Sequence, residues 1–310
     1  MKNVKVITIE SDFGAGTKGA KLGPQAMLKH LPHQIFPNSE IIQVNIEDFL
    51  EEEKDVYAKA HHINSILNIQ KNAIDCIQKN HKDGYISFIA SGDHSNGLAA
   101  ISAYKDLNPS NDLGVIWIDA HADLHTPYTS PSGNIHGMPL GAALGLENNA
   151  SNKIEIDKET QLKWKQLIQL GKNKISPKIS PNNLVFIDIR DLEPEEINII
   201  QEHHILHFTP DDRKNIGIQS IISKSIAHLS HCQHIYISFD VDSLDPHFSA
   251  GTGTPVHGGL SVDEAKELIQ AFWNLPNVFA FEITEINPLL DRLNPMEEVA
   301  AKIISDCFKS

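Results

Sequence analysis

Cysteine is scarce in this chain. Only Cys76, Cys232 and Cys307 occur among 310 residues. An odd count at wide spacing excludes a disulfide framework and fits reduced thiols in a cytoplasmic protein. None of the three adjoins a cluster of acidic and histidine residues. Long apolar runs are also missing, so neither a signal peptide nor a membrane span is expected, and Met1-Lys2-Asn3-Val4-Lys5-Val6 runs straight into a strand pattern. Positive charge is in the minority, with 26 Lys and Arg against 40 Asp and Glu and a formal net charge of -14. That balance argues against a nucleic-acid partner, offers no basic patch to a membrane, and suits a small cationic ligand. Apolar content of 41% and charged content of 21% are ordinary for a globular chain of this length.

Eight short apolar runs are present: Val4–Ile9, Ile41–Ile46, Tyr85–Ala90, Gly114–Ile118, Leu184–Ile189, Ile205–Phe208, Ile235–Phe239 and Val278–Ile283. Helical periodicity lies between most of them. Lys54–Asn80 carries Ile63, Ile66, Leu67 and Ile74 at helical spacing. Ser261–Trp273 opens on a capping-box pattern, and a further helix starts near Pro295. Strands alternating with helices predict an α/β fold with a parallel sheet covered on both faces. Neither a long linker nor an internal repeat interrupts the pattern, so residues 1–310 read as one domain. The polar stretch Glu147–Asn183, with a helix around Leu162–Leu170, reads as an excursion from it. Of the seventeen histidines, His61, His62, His203, His204, His231 and His234 sit in polar surroundings and read as solvated.

Three strand ends carry ligand-type residues: Ser91-Gly92-Asp93-His94-Ser95, Asp119-Ala120-His121-Ala122-Asp123 and Asp240-Val241-Asp242. Strand alternation predicts that Asp119, His121 and Asp123 share one side, and Asp240 and Asp242 another. Four carboxylates gathered without counter-charge would be prohibitively costly to bury. Two divalent ions would balance them. Binding outside the carboxyl ends of the strands is the rule for open α/β sheets, and every candidate lies there.

Together with Ser132-Gly133-Asn134-Ile135-His136-Gly137, Gly251-Thr252-Gly253-Thr254-Pro255, Glu285-Ile286-Asn287-Pro288 and the early Lys21-Leu22-Gly23-Pro24, these motifs resemble the arginase (ureohydrolase) family, and arginases more than agmatinases. The resemblance implies a three-layer αβα sandwich around a parallel eight-stranded sheet and a dinuclear manganese centre. It assigns His94, Asp119, Asp123 and Asp240 to one ion, and Asp119, His121, Asp240 and Asp242 to the other. Oxygen-rich ligation with one imidazole per ion suits manganese. By the same resemblance Glu285 pairs with a guanidinium, His136 shuttles protons, Asp123 relays a proton, and Thr254 lies beside the guanidinium. The implied reaction is hydrolysis of L-arginine to L-ornithine and urea by a metal-bridging hydroxide. A homo-oligomer, trimeric or hexameric, is implied too. The sequence runs to Cys307-Phe308-Lys309-Ser310, so the long tail by which some relatives clasp their neighbours is not expected.

The substrate end departs from the family pattern. His125 stands where arginases usually have Asn, and Glu193 where Asp is common, whereas Ser132, Asn134 and Glu196 match. These are the expected substrate-binding residues, so the identity of the substrate is the open point. The same chemistry on agmatine, guanidinobutyrate or formimidoylglutamate is the near alternative. A non-catalytic metal-binding subunit of the same fold is a more distant one. A dinuclear phosphoesterase would need cations for phosphate, and no Arg or Lys lies inside the metal motifs.

Overall fold

The computed structural model describes residues 2–36, 39–46, 57, 59–147 and 154–308. Among them eight strands join in one sheet: β1 (Val4–Ile9), β2 (Ile41–Gln43), β3 (Ile86–Ser91), β4 (Leu113–Ile118), β5 (Leu184–Ile187), β6 (Leu206–Phe208), β7 (His234–Asp240) and β8 (Val278–Thr284). Their order across the sheet is β2-β1-β3-β8-β7-β4-β5-β6, and every pairing is parallel.

Alternation along each strand divides the apolar side chains between two cores. Val115 and Trp117 of β4 face one, with Ile66 and Ile74 of α2 (Ile63–Lys82), Leu98 and Ile101 of α3 (Gly97–Leu107) and Trp164 of α5 (Lys158–Ile168). Ile116 and Ile118 face the other. They meet Met27 of α1 (Gly23–His30), Ile221 of α8 (Ile218–His228), Phe272 of α9 (Val262–Trp273) and Ile304 of α10 (Met296–Cys307). Short helices α4 (Pro139–Ala143), α6 (Pro194–Glu202) and α7 (Pro210–Ile216) complete the set. The result is the expected three-layer α/β arrangement.

Several boundaries differ from expectation. The helix read over Lys54–Asn80 begins at Ile63, after the turn at residues 59–62, and His62 before it takes left-handed backbone at φ 55°. Residues 54–56 and 58 lie outside the described residues. The second run pairs only over Ile41–Gln43, because β2 is an edge strand held by β1 alone. The histidines read as solvated are partly engaged. His61 Nε2 lies 3.1 Å from Ser132 O, His231 Nε2 lies 2.8 Å from Asn183 Oδ1, and His234 packs edge-on to Tyr104.

The capping box at Ser261 forms as read. Ser261 Oγ accepts the Glu264 N–H (3.2 Å), and Glu264 Oε2 accepts the Ser261 N–H (2.8 Å). Replacing Ser261 by Ala is expected to cost about 1 kcal/mol, the usual worth of such a cap. Equilibrium denaturation in urea measures it, and a midpoint unchanged from the parent chain would contradict it.

Candidate functional site

The ligand-type residues leave the ends of β3, β7 and β4, and Glu285 leaves β8 between them, so all four strands are adjacent in the middle of the sheet, β3-β8-β7-β4. Strand alternation is not what aligns them. β4 ends at Ile118, so residues 119–125 lie beyond the strand, and Asp123 takes left-handed backbone (φ 53°). β7 ends at Asp240 and passes directly into a one-turn 3-10 helix over Val241–Ser243. The turns themselves aim the carboxylates. Asp119 Oδ1 accepts the His121 N–H (2.7 Å), and Asp240 Oδ1 accepts the Asp242 N–H (2.8 Å). Each of these residues spends one oxygen on its own turn and directs the second inward.

Those inward atoms meet His94. Its Nδ1 lies 3.0 Å from Asp119 Oδ2, 3.1 Å from Asp123 Oδ2 and 3.0 Å from Asp240 Oδ2. His94 Nδ1, Asp119 Oδ2 and Asp123 Oδ2 are buried and have no hydrogen-bond partner. Beside this group, His121 Nδ1 lies 3.1 Å from Asp242 Oδ2 and 3.4 Å from Asp119 Oδ1. Asp119 is common to both groups. Asp240, expected to bridge as well, closes with the His94 group alone.

Burial dominates the electrostatics here. It raises the carboxyl of Asp240 well above the ordinary range, helped by Asp242 and Asp119. Burial likewise lifts Asp123 to about 6, with Asp119 adding to it. Burial opposes charge on His94, yet the surrounding carboxylates raise its pKa well above the usual value. A site so short of positive charge, with unpartnered oxygen and imidazole atoms converging, fits divalent cations. The oxygen-rich donor set with no thiol suits a hard ion.

The back of His94 is fixed by groups that sequence reasoning missed. Its ring stacks on Trp117 at 3.9 Å and 6°. Its Nε2 lies 2.7 Å from Ser238 Oγ, which donates to Glu282 Oε2 (3.5 Å). Tyr236 and Ser91 also donate their hydroxyls to Glu282, and the carboxyl is fully buried. Nε2 thus engages Ser238 and Nδ1 faces the carboxylates; with a metal ion bound, the ring would keep its proton on Nε2 and leave Nδ1 to ligate. The available signal was a lone Glu inside the apolar run Phe279-Ala280-Phe281-Glu282-Ile283. Phe281 and Ile283 face one core, which turns Glu282 to the opposite side.

Glu285 follows β8 directly with φ 65°, again left-handed. Such backbone costs on the order of 1–3 kcal/mol in a non-glycine residue and collects at functional sites. Glu285 Oε1 accepts the His94 N–H (2.9 Å) and lies 3.0 Å from His136 Nδ1. Burial works against the His136 cation, but Glu285 more than offsets it and lifts the pKa to about 9.

His136, Thr254, Ser132 and Asn134 line a cavity of about 280 Å³ with the two ligand groups. Thr254 Oγ1 donates to Asp242 Oδ2 (2.9 Å), and Ser132 Oγ accepts the Asn134 N–H (3.1 Å). Farther along the wall, His125 Nε2 lies 3.0 Å from Glu193 Oε2 and 3.7 Å from Glu196 Oε2. The two departures from the family pattern therefore touch each other. His125 draws Glu193 down to about 2, whereas burial pushes Glu196 up to about 8. A larger hollow of about 610 Å³, lined among others by Leu67, Lys71, Ile74, Gln166 and Leu170, has no such ring of ligand atoms.

The model of the arginase family matches residues 2–309. An arginase of Staphylococcus aureus (strain COL) is 34% identical, over 99% of this chain and 97% of its own. The 1.7 Å crystal structure of arginase from Bacillus subtilis superposes with a TM-score of 0.85 at 29% identity, covering 100% of this chain and 99% of that one. The native arginase of Bacillus caldovelox gives 0.83 at 28%, again over 100% and 99%. Matched from end to end in sequence and in fold, with acidic and histidine side chains gathered where a binuclear metal site would lie, the chain belongs to the arginase family of hydrolases.

Proposed function

We propose that this chain is a manganese-dependent hydrolase that converts L-arginine to L-ornithine and urea, a single ureohydrolase domain over residues 1–310 with two ions per subunit. The observation that carries the reading is the set of buried, unpartnered ligand atoms on His94, Asp119 and Asp123 beside the Glu285–His136 pair. His94, Asp119, Asp123 and Asp240 would hold one ion. Asp119, His121, Asp240 and Asp242 would hold the other. Such a pair of ions would supply a water acidified towards neutrality, which a resonance-stabilised guanidinium requires of its attacker.

The remaining steps belong to the side chains. Glu285 accepts guanidinium N–H groups and sets the carbon over the site, a pairing suited to carboxylate geometry. Thr254 orients Asp242 and borders the same group. His136, protonated up to about pH 9, gives its proton to the departing amine, so that collapse of the tetrahedral carbon runs forward. Asp123 relays the proton taken from water. A cytoplasmic location agrees with the three free cysteines, and no helix among the described residues is long and apolar enough to cross a membrane. By kinship with the family, the assembly is a homo-oligomer, trimeric or hexameric.

Ser132 and His125, with Asn134 beside them, would meet the substrate carboxylate, and Glu193 or Glu196 its ammonium. One hydrogen bond to a charged group is worth about 1.5–3 kcal/mol, roughly ten- to a hundred-fold. Agmatine, which lacks the carboxylate, is expected to fall below arginine in kcat/KM by at least that factor. His125→Asn is expected to keep or raise arginine turnover, because Asn frees Glu193 for the ammonium. Comparison of arginine, agmatine and guanidinobutyrate decides it. Agmatine at or above arginine would move the assignment to a decarboxylated guanidino substrate, a reading favoured by the His125–Glu193 contact that already occupies the imidazole.

A further inference from the structure

Arg190 lies outside the ligand motifs and does not line the cavity, yet it joins the two segments that supply the second ligand group. Its backbone N–H donates to Ala120 O (2.8 Å), the carbonyl between Asp119 and His121. Its Nη2 donates to Asp242 O (2.7 Å) and to Val256 O (2.9 Å). The guanidinium is held in turn by Asp188, whose Oδ2 accepts from Nη1 at 3.2 Å. Asp188 is buried and left-handed (φ 71°), and its other oxygen accepts from Arg213 Nε (2.7 Å). Arg213 reaches on to Gly258 O and Gly259 O (2.9 and 3.0 Å). The fit is close: a Cβ at Gly259 would lie 2.6 Å from Arg190 Nη2.

Breaking a buried ion pair is costly, and a planar guanidinium spanning fixed carbonyls has little freedom to shift. Two residues after β5, Asp188 and Arg190, and one on α7, Arg213, thus clamp the loop at 242–259 against the segment at 119–121. Asp242 Oδ2 and His121 Nδ1, 3.1 Å apart, are the atoms whose spacing that clamp sets. Among the described residues, His94 rests instead on Trp117 and Ser238.

We propose that Arg190, oriented by Asp188 and Arg213, is a positioning residue for one ion only, the ion shared by Asp119, His121 and Asp242. The proposal rests on the dinuclear reading above. The test titrates Mn2+ into the full-length metal-free chain, by calorimetry and by electron paramagnetic resonance, which separates a spin-coupled pair from an isolated ion. Arg190→Gln is expected to weaken the second Mn2+ roughly 10–100-fold, the scale of outer-shell ligand support, and to leave the first within about threefold. The coupled signal then gives way to an isolated one at Mn2+ levels that load the parent chain fully. Arg190→Lys, which keeps one cationic donor, restores part of the second affinity. Arg213→Gln, two contacts removed from the ligands, shows the same selectivity at smaller size and decides the matter if Arg190→Gln does not fold. Equal weakening of both ions, or an unchanged second ion, overturns the proposal while the dinuclear centre stands. A parent chain that takes up fewer than two Mn2+ overturns both.

Discussion

Exhaustive chelation is expected to abolish urea release from L-arginine, with Mn2+ the best of the divalent ions in restoring it. Asp119, Asp123, Asp240 and Asp242 are all buried around two imidazoles. Without cations those carboxylates repel one another, and Asp240 and Asp242 are driven towards protonation by burial before any other influence. The same argument predicts a lower thermal midpoint after chelation, because an ion that binds only the folded chain stabilises it by mass action. Stoichiometry is read by elemental analysis and activity by urea release. One tightly bound zinc in a fully active preparation would sink the two-manganese reading. Asp119→Ala is expected to remove both ions, since the Asp119 carboxylate closes with the His94 group and the His121 group together.

His136→Ala is expected to keep both ions and lose roughly 10²–10⁴ in turnover, the usual contribution of a positioned acid–base group. His136 pairs with Glu285 and is not itself one of the ligand residues, so metal content separates loss of a proton donor from collapse of the site. The sign of the pH effect follows from the raised pKa. The imidazole is the donor while it is protonated, and it stays protonated until the pH rises through about 9. The alkaline limb of kcat therefore falls near that value. Glu285→Gln removes the group that holds the proton there and moves the limb to lower pH, while also weakening guanidinium binding. A His136→Ala enzyme with the parent rate and the parent alkaline limb would show that the proton travels by another route.

The alternation of apolar runs with helical periodicity was enough to establish a parallel sheet covered on both faces, because strands buried on two sides must be apolar at every position. Asp119, His121, Asp123, Asp240, Asp242 and His94 were legible as one constellation because ligand-type residues at strand ends have few other uses in that density. Composition alone set aside disulfides and a polyanionic partner. Strand order was not legible. Nothing local to the chain says that β8 inserts between β3 and β7, and that insertion is what carries Glu285 to His94, 191 residues away, and to His136, 149 residues away. The aim of the carboxylates was misattributed to strand alternation. Hydrogen bonds within the turns and a left-handed Asp123 do that work, and both depend on where the strands stop. Glu282, Arg190, Asp188 and Arg213 escaped the sequence reading because each acts through a partner distant along the chain, and only packing determines which partner that is.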